Sequence, residues 1–324
     1  MKRRELFIAG SASIFACTLS SWAMAANPWR IGLVFGGTPD IVAPSELVRA
    51  LLGLGYSNGK DVQVRTLFAT PNPKEMKDAV LSLLPEIDLL VVWGTIGGVA
   101  AKSVASHIPV VFVSVGAPVD IGLVESLSHP GGNMTGITFE AASETYGKRL
   151  QILKEILPNL SHIAVLGAKG DPNFPFAMVS LESSARSLKI SITPIEINLA
   201  DDLRSAFDDM RRSQAEALVV VAGALTYANS AVIAELSLAN RLPSCHGFKE
   251  TVAAGGLISL GPDLVGLGRQ GARLIDKIIK GARPADIPVE QPARYITTIN
   301  LKTAKALGLT VPAALLARAD EVIE

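Results

Sequence analysis

Short apolar runs alternate with helix-like stretches along most of this sequence, and that alternation leaves few folds open. Most of the runs are followed by a loop that contains Gly and then by a stretch with the composition of a helix. Parallel strands need a crossover connection, so the pattern is typical of βαβ units around a parallel sheet. The runs lie at 31–35, 62–67, 89–93, 110–114, 163–166, 190–197, 218–221 and in a short segment near Pro243.

The second half of the chain repeats the organisation of the first. Gly36 and Gly167 hold equivalent places relative to a strand, as do Gly94 and Gly223, and the separation along the chain is nearly the same in both pairs. We therefore predict an α/β fold of two doubly wound parallel-sheet lobes. Ligands in open α/β sheets bind outside the carboxyl ends of the strands, so the predicted site lies in the cleft between the lobes.

Composition and charge exclude several classes of protein. A chain of 324 residues with 49% apolar residues is long enough for two buried cores and is not disordered. Its 30 basic and 30 acidic side chains cancel, so no extended positive field attracts a nucleic-acid backbone. We expect no nucleic acid among its partners.

The N-terminal segment 1–25 has the three parts of a secretory signal peptide. A basic start precedes an apolar run over 6–16, and Ala23-Met24-Ala25 forms a small-residue cleavage site. We predict cleavage after Ala25 and export of the remaining chain, with the twin-arginine and Sec routes both open. A lipid anchor at Cys17 is the less favoured alternative.

The motifs of enzyme chemistry are missing from the sequence. It contains no H-E-x-x-H, C-x-x-C, G-x-S-x-G or P-loop pattern, and its four histidines are scattered singly. We therefore expect no catalytic residues, no metal and no cofactor, and a hydrolase is disfavoured because no nucleophile is paired with a base. The segment 266–271 fits G-x-G-x-x-G, but Pro262-Asp263 favours a helix start there, so these glycines are interpreted as sites of close helix packing.

Loops that follow the apolar runs carry the candidate ligand contacts. The segment Trp93-Gly94-Thr95-Ile96 offers an accessible backbone, a hydroxyl and the free N–H groups of the following helix to an anion such as a carboxylate. The same residues also fit an ordinary strand-to-helix turn with Thr95 as its N-cap. Corresponding loops lie at 36–40, 114–118, 167–174, 223–227 and 247–250. Small hydroxyl groups prevail in the first half and aromatic or charged groups in the second, which suits a ligand with a carboxylate at one end and an amine or ring at the other.

Several long segments together resemble a known family. They are VVWGTIGGVAAK, IPVVFVSVGAPVDIGLVESLSHPGGNMTGITF, AAGGLISLGPDL and the tail INLKTAKALGLTVPAALLARADEVIE. The chain resembles the exported substrate-binding proteins of ABC importers, in the branch that contains tryptophan- and tyrosine-binding receptors. Trp93 and the pair Lys169-Gly170 depart from the usual residues of that branch, so the resemblance does not fix the ligand.

The resemblance implies the type I periplasmic-binding fold with a three-segment hinge. One lobe would comprise 26–137 and 262–288, and the other 138–261 and 289–324, with the helix 264–280 returning to the first lobe. Ligand contacts would come from both lobes at the loops described above. The predicted ligand-binding residues are Thr38, Trp93, Thr95, Ile96 and Ser114 in the first lobe, and Asp171, Phe174, Tyr227 and Glu250 in the second.

The function that the resemblance implies is that of a periplasmic solute receptor. It would capture a small organic ligand, an amino acid or an aromatic acid, and deliver it to an ABC permease in the inner membrane. The protein would act as a monomer and without a cofactor. An alternative is a sensory binding protein that presents its ligand to a signalling receptor.

Overall fold

The computed structural model describes residues 27–37, 42–140 and 144–324. The predicted signal peptide, 1–25, and Thr38 lie outside these residues. Within the described ranges, no helix combines the length and the apolar character that a bilayer crossing requires.

The first sheet has five strands, all parallel, in the order β2-β1-β3-β4-β5. Its central strands are buried along their whole length because helices cover both faces of the sheet. The strands are β1 (Trp29–Gly36), β2 (Val62–Ala69), β3 (Leu89–Trp93), β4 (Val110–Gly116) and β5 (Met134–Glu140).

The second sheet has seven strands in the order β12-β11-β10-β9-β8-β6-β7. Its pairs are parallel except for β10 with β11, which are antiparallel. The strands are β6 (His162–Ala168), β7 (Ser191–Ile197), β8 (Ala217–Val220), β9 (Ser244–His246), β10 (Ile258–Pro262), β11 (Tyr295–Asn300) and β12 (Glu321–Ile323).

The two sheets share one strand order, which confirms the predicted repeat. Reading β6 to β10 as the counterparts of β1 to β5, the order β7-β6-β8-β9-β10 reproduces β2-β1-β3-β4-β5. The fold is therefore a pair of α/β lobes with parallel sheets, as predicted, to which the second lobe adds β11 and β12.

Alternate residues of a strand point to opposite faces of the sheet. Both faces of each sheet therefore carry apolar side chains, and helices cover both. In β3, Leu89 and Val91 belong to one core with α1 and α10, while Leu90 and Val92 belong to another with α2 and α3. The helices are α1 (Val42–Gly53), α2 (Pro73–Leu83), α3 (Thr95–Val104), α4 (Glu144–Ile156), α5 (Asn173–Leu188), α6 (Leu203–Arg212), α7 (Ala224–Ala228), α8 (Ser230–Ala239), α9 (Lys249–Ala253), α10 (Leu264–Ile279), α11 (Leu301–Ala306) and α12 (Ala313–Leu316).

Three segments connect the lobes. The chain leaves the first sheet after β5 and enters α4, it returns from β10 into α10, and it crosses again ahead of β11. The third segment runs beside the first, where the Thr138 N–H donates to the Glu290 carbonyl over 3.0 Å. Helix α10 packs on α1, β4 and β5, so it belongs to the first lobe. The exact lobe boundaries given above stay a prediction.

The G-x-G-x-x-G segment lies inside α10, which confirms its interpretation as a packing feature. Asp263 caps the helix by accepting a hydrogen bond from the Val265 N–H over 3.2 Å. At Gly271, a Cβ atom would lie 3.0 Å from Leu47 Cδ1 and 3.1 Å from Val113 Cγ2. Glycine there lets α10 approach both α1 and the sheet closely.

We expect the Gly271→Leu variant to be less stable than wild type by about 1–3 kcal/mol, because the added side chain overpacks the contact with Leu47 and Val113. Arg273→Leu, at an exposed position of the same helix, is the control and should change the free energy of unfolding by less than about 0.5 kcal/mol. Urea unfolding measures both. Equal stability of the Gly271 variant and wild type would contradict this packing.

Candidate binding cavity between the lobes

A cavity lies where the carboxyl ends of the two sheets face each other. Residues from both lobes form its wall, as expected for a ligand site in paired α/β sheets. The lining residues are Phe35, Gly36, Trp93, Gly94, Thr95, Ser114, Phe139, Gly223, Ala224, Tyr227, Phe248 and Leu264. Four of the predicted ligand-binding residues therefore meet at one place: Trp93, Thr95, Ser114 and Tyr227.

Backbone geometry at the end of β3 presents Thr95 to the cavity. Gly94 is the N-cap of α3 and has a φ of 86°, a conformation that favours glycine. Thr95 is the first residue of the helix, so the alternative in which Thr95 itself is the N-cap is wrong. Its hydroxyl oxygen accepts a hydrogen bond from the Gly116 N–H over 3.1 Å and keeps its own proton available to donate.

Ser114 reaches the cavity through an irregularity in β4. Its φ is 57°, in the left-handed region, and the pairing of β4 with β5 shifts register between Val113 and Val115. Residues other than glycine are uncommon in that conformation and occur often at functional sites. The distortion turns the Ser114 side chain out of the regular alternation of the strand.

Aromatic rings form most of the cavity wall. In the first lobe the Phe35 and Trp93 ring centroids are 5.6 Å apart. In the second lobe the Tyr227 ring meets Phe248 edge to face at 5.5 Å. Phe139, at the end of β5 in the first sheet, lies 5.9 Å from Phe248. One hydrophobic core cluster includes rings from both lobes, so apolar contact extends across the cleft.

The lobes touch in this arrangement and leave little room between them. The cavity volume is about 40 Å³, room for only a few water molecules, since one buried water needs about 10–15 Å³ of such space. A Cβ atom on Gly36 of the first lobe would lie 3.4 Å from Ala224 Cβ of the second. A ligand that contains a ring therefore requires the lobes to separate, or the lining side chains to move, before it binds.

Asp171 lies directly behind the cavity wall. Its carboxylate accepts a hydrogen bond from the Asn173 N–H over 2.9 Å, and its Oδ2 lies 2.8 Å from where a Cβ on Gly223 would be. The side chain is 5% exposed and has no ion-pair partner among the described residues. Burial raises the pKa of Asp171 to about 6. A cation beside Gly223 would stabilise this carboxylate.

Among the described residues, the predicted contacts Ile96, Phe174 and Glu250 do not line the cavity. Ile96 lies in the core between α3 and the first sheet, and Phe174 packs over Gly167 in the core of the second lobe. Glu250 lies in α9, and its buried Oε2 has no hydrogen-bond partner among the described residues. Ligand contact by these residues stays a prediction, as does that by Thr38.

Sequence reasoning missed three aromatic residues of the wall. Phe35 and Phe139 lie near the ends of strands, where an apolar residue is expected to belong to the core. Phe248 lies in the loop 247–250, two residues before the predicted contact Glu250. Their place in the sequence could have identified them, because each of these rings lies at the carboxyl edge of its sheet.

The described residues contain no group of three or more His, Cys, Asp or Glu side chains placed to hold a metal ion. His246 is buried in β9, where its Nε2 lies 2.9 Å from Ser244 Oγ. Burial, together with the positive charge of Arg149, lowers the pKa of His246 to about 4, so the ring is neutral at pH 7.

Comparisons with known proteins agree on one family. The sequence profile of the family described as ABC transporter substrate binding protein matches residues 43–323. A tyrosine-binding protein of Clostridioides difficile strain R20291 is 24% identical over 268 residues, which cover 82% of this chain and 76% of that protein.

Solved structures show the same fold. A conserved domain protein from Vibrio cholerae superposes with a TM-score of 0.85 at 26% identity, covering 91% of this chain and 99% of that one. An ABC domain from Streptococcus pneumoniae, solved in complex with L-Trp, gives a TM-score of 0.83 at 23% identity, covering 90% of this chain and all of that one.

We expect the isosteric variant Asp171→Asn to be more stable than wild type at pH 7.5. A raised pKa means that the folded state favours the protonated acid, so the carboxylate destabilises the fold progressively as pH rises from about 4 through 6. If the whole shift from 3.8 to about 6 is expressed, the gain at pH 7.5 is about 3 kcal/mol.

Thermal unfolding at pH 7.5 and pH 4 measures this difference, which should shrink at the lower pH because wild-type Asp171 is then protonated as well. The control is Asp201→Asn, which replaces an exposed acid and should change the stability by less than about 0.5 kcal/mol. An Asp171 variant less stable than wild type at pH 7.5 would refute the assignment of a costly buried charge.

Proposed function

This chain belongs to the family of ABC transporter substrate-binding proteins, and from that premise we propose that it captures an amino acid or an aromatic acid between its lobes and delivers it to an ABC permease in the inner membrane. The observation that carries the ligand class is the cavity, whose wall combines aromatic rings from both lobes with the aliphatic hydroxyl groups of Thr95 and Ser114. The protein is a binding protein and not an enzyme.

The aromatic wall favours a ligand with a flat apolar part. Phe35 and Trp93 on one side and Tyr227 and Phe248 on the other present rings toward the gap, and aromatic groups interact well at ring separations of about 4.5–7 Å. The similarity to a tyrosine-binding protein, and to a domain that binds L-Trp, supports a ring in the ligand.

The polar groups around the cavity suit the two ends of an amino acid. Thr95 and Ser114 can donate hydroxyl protons to a carboxylate, and the free N–H groups at the start of α3 favour a negative charge. Asp171 behind Gly223 suits an ammonium group. An aromatic acid without an amine uses the first set of contacts and leaves Asp171 uncompensated.

The affinity for a ligand depends on closure of the lobes. A ligand shifts the population toward the closed arrangement only by the contacts that it gains there, so the affinity equals the contact free energy less the cost of closing. Since the wall of the cavity comes from both lobes, most of those contacts exist only when the lobes meet.

Substrate-binding proteins of ABC importers act outside the cytoplasm, and we propose the periplasm for this chain. The basic, apolar and small-residue parts of the segment 1–25 support cleavage after Ala25. We propose that the protein acts as a monomer.

We expect the mature, ligand-stripped protein to bind at least one of L-tryptophan, L-tyrosine, benzoate and 3,4-dihydroxybenzoate. At a ligand concentration of 100 Kd the protein should gain about 2.7 kcal/mol of stability. Thermal shift and titration calorimetry measure the effect. Preference for the two amino acids over the two acids indicates that Asp171 pairs with an ammonium group. No heat and no shift with any of the four would contradict the proposed ligand class.

Replacing a ring of the cavity wall should weaken binding selectively. Phe248→Ala removes contact area in the closed arrangement, so we expect the Kd of the best binder to rise at least about tenfold, equivalent to about 1.4 kcal/mol. Phe207→Ala is the matched control, because Phe207 is a comparably buried ring in the core between α6 and the second sheet. Calorimetry should give the Phe207→Ala variant the same Kd as wild type. Equal losses in both variants would show that the effect is one of stability alone.

A further inference from the structure

A buried polar cluster lies where the three connecting segments meet. We define the crossing cluster as Glu140, Tyr146, Arg149 and Asn173. Glu140 ends β5 in the first sheet, whereas Tyr146 and Arg149 belong to α4 and Asn173 begins α5. None of the four lines the cavity, and the side chains of Glu140 and Arg149 are both 0% exposed.

The ion pair of this cluster connects the two sheets. Arg149 Nη1 lies 3.1 Å from Glu140 Oε2 at the end of β5, and Arg149 Nε donates to the Leu260 carbonyl of β10 over 2.9 Å. One guanidinium therefore joins the first connecting segment to the second. The third segment is held to the first by Tyr295, whose hydroxyl donates to the Phe139 carbonyl over 2.9 Å.

Further contacts extend the cluster toward the cavity. The Arg149 guanidinium lies 4.3 Å from the centre of the Tyr146 ring, and Asn173 Nδ2 donates to the Tyr146 hydroxyl over 2.8 Å. Asn173 in turn meets the first lobe, since a Cβ on Gly116 would lie 2.5 Å from its Oδ1. Gly116 donates its N–H to Thr95 in the cavity wall.

Each charge of the pair depends on the other. Glu140 Oε1, Arg149 Nη2 and Asn173 Oδ1 are buried and have no hydrogen-bond partner among the described residues. Removing one ion would leave the other uncompensated in a water-excluded site, which is strongly unfavourable. The arrangement of the first two segments therefore depends on both members of the pair.

We propose that Glu140 and Arg149 are positioning residues that hold the first two connecting segments together and so set how readily the lobes close on a ligand. This inference rests on the proposed receptor function for its effect on affinity, but its effect on the arrangement of the lobes is independent of any ligand. Neither residue contacts the ligand.

The test is the double variant Glu140→Gln/Arg149→Met, which removes both charges and leaves neither uncompensated. Spin labels at Lys77→Cys on α2 and Arg204→Cys on α6, both exposed, report the distance between the lobes. Cys245 is buried and should remain unlabelled. Without ligand, we expect the double variant to give a broader distance distribution than wild type. With L-tryptophan as the probe, the Kd of the double variant should be at least tenfold higher than that of wild type.

Two further variants keep the test decisive. Met210→Ala removes a buried side chain from the core of the second lobe, away from the cluster, and should lower stability without changing the distance distribution or the Kd. Arg149→Lys keeps the positive charge but replaces the planar guanidinium by an ammonium group. This variant should fold, and it should broaden the distance distribution less than the double variant does.

The outcomes separate the two proposals. A distribution that stays at the wild-type width in both the double and the Arg149→Lys variants would overturn the positioning role, whatever the affinity. Failure of wild type to bind L-tryptophan would count against that ligand, while the distances measured without ligand would still decide the role of the pair.

Discussion

Contact between the two lobes across an aromatic cavity is the interaction on which the rest of this structure depends. The rings of Phe35, Trp93 and Phe248 belong to one hydrophobic cluster, and Phe139 of the first sheet lies 5.9 Å from Phe248, so closing the lobes buries apolar surface even without a ligand. Because the gap holds only about 40 Å³, a ligand must replace some of this contact with its own. The affinity is then the difference between the apolar contacts that the ligand makes with the lobes and the contacts that the lobes make with each other. A ligand is preferred when its own contacts replace the lost ones most completely.

Charged groups near the cavity are buried at a cost to stability. Asp171 has one hydrogen bond and no cation beside it among the described residues, and Glu140 has Arg149 as its ion-pair partner. Burial raises the pKa of both acids, although the charge of Arg149 opposes the shift at Glu140. Residues kept under such a cost are often functional. We propose Asp171 as a contact of the ligand and the Glu140–Arg149 pair as a determinant of the geometry of the connecting segments.

The sequence was sufficient to predict the lobes and much less so the site. Continuous apolar runs such as 89–93 and 110–114 are typical of parallel strands that are buried on both faces, so the sequence predicts where these strands lie. The cavity wall was harder, because a ring at the end of a strand, such as Phe35, has the pattern of a core residue until the second lobe faces it. Arg149 lies on a helix with other charged residues, and only the fold brings it against Glu140 and the Leu260 carbonyl.

A crystal structure of the mature protein grown with its strongest binder would show whether both lobes hold one ligand molecule at once. We expect electron density for the ligand between Trp93 and Phe248, with contacts to Ser114 in the first lobe and to residues beside Gly223 in the second. Density confined to one lobe, or to a site outside the cleft while the aromatic wall stays packed on itself, would contradict it.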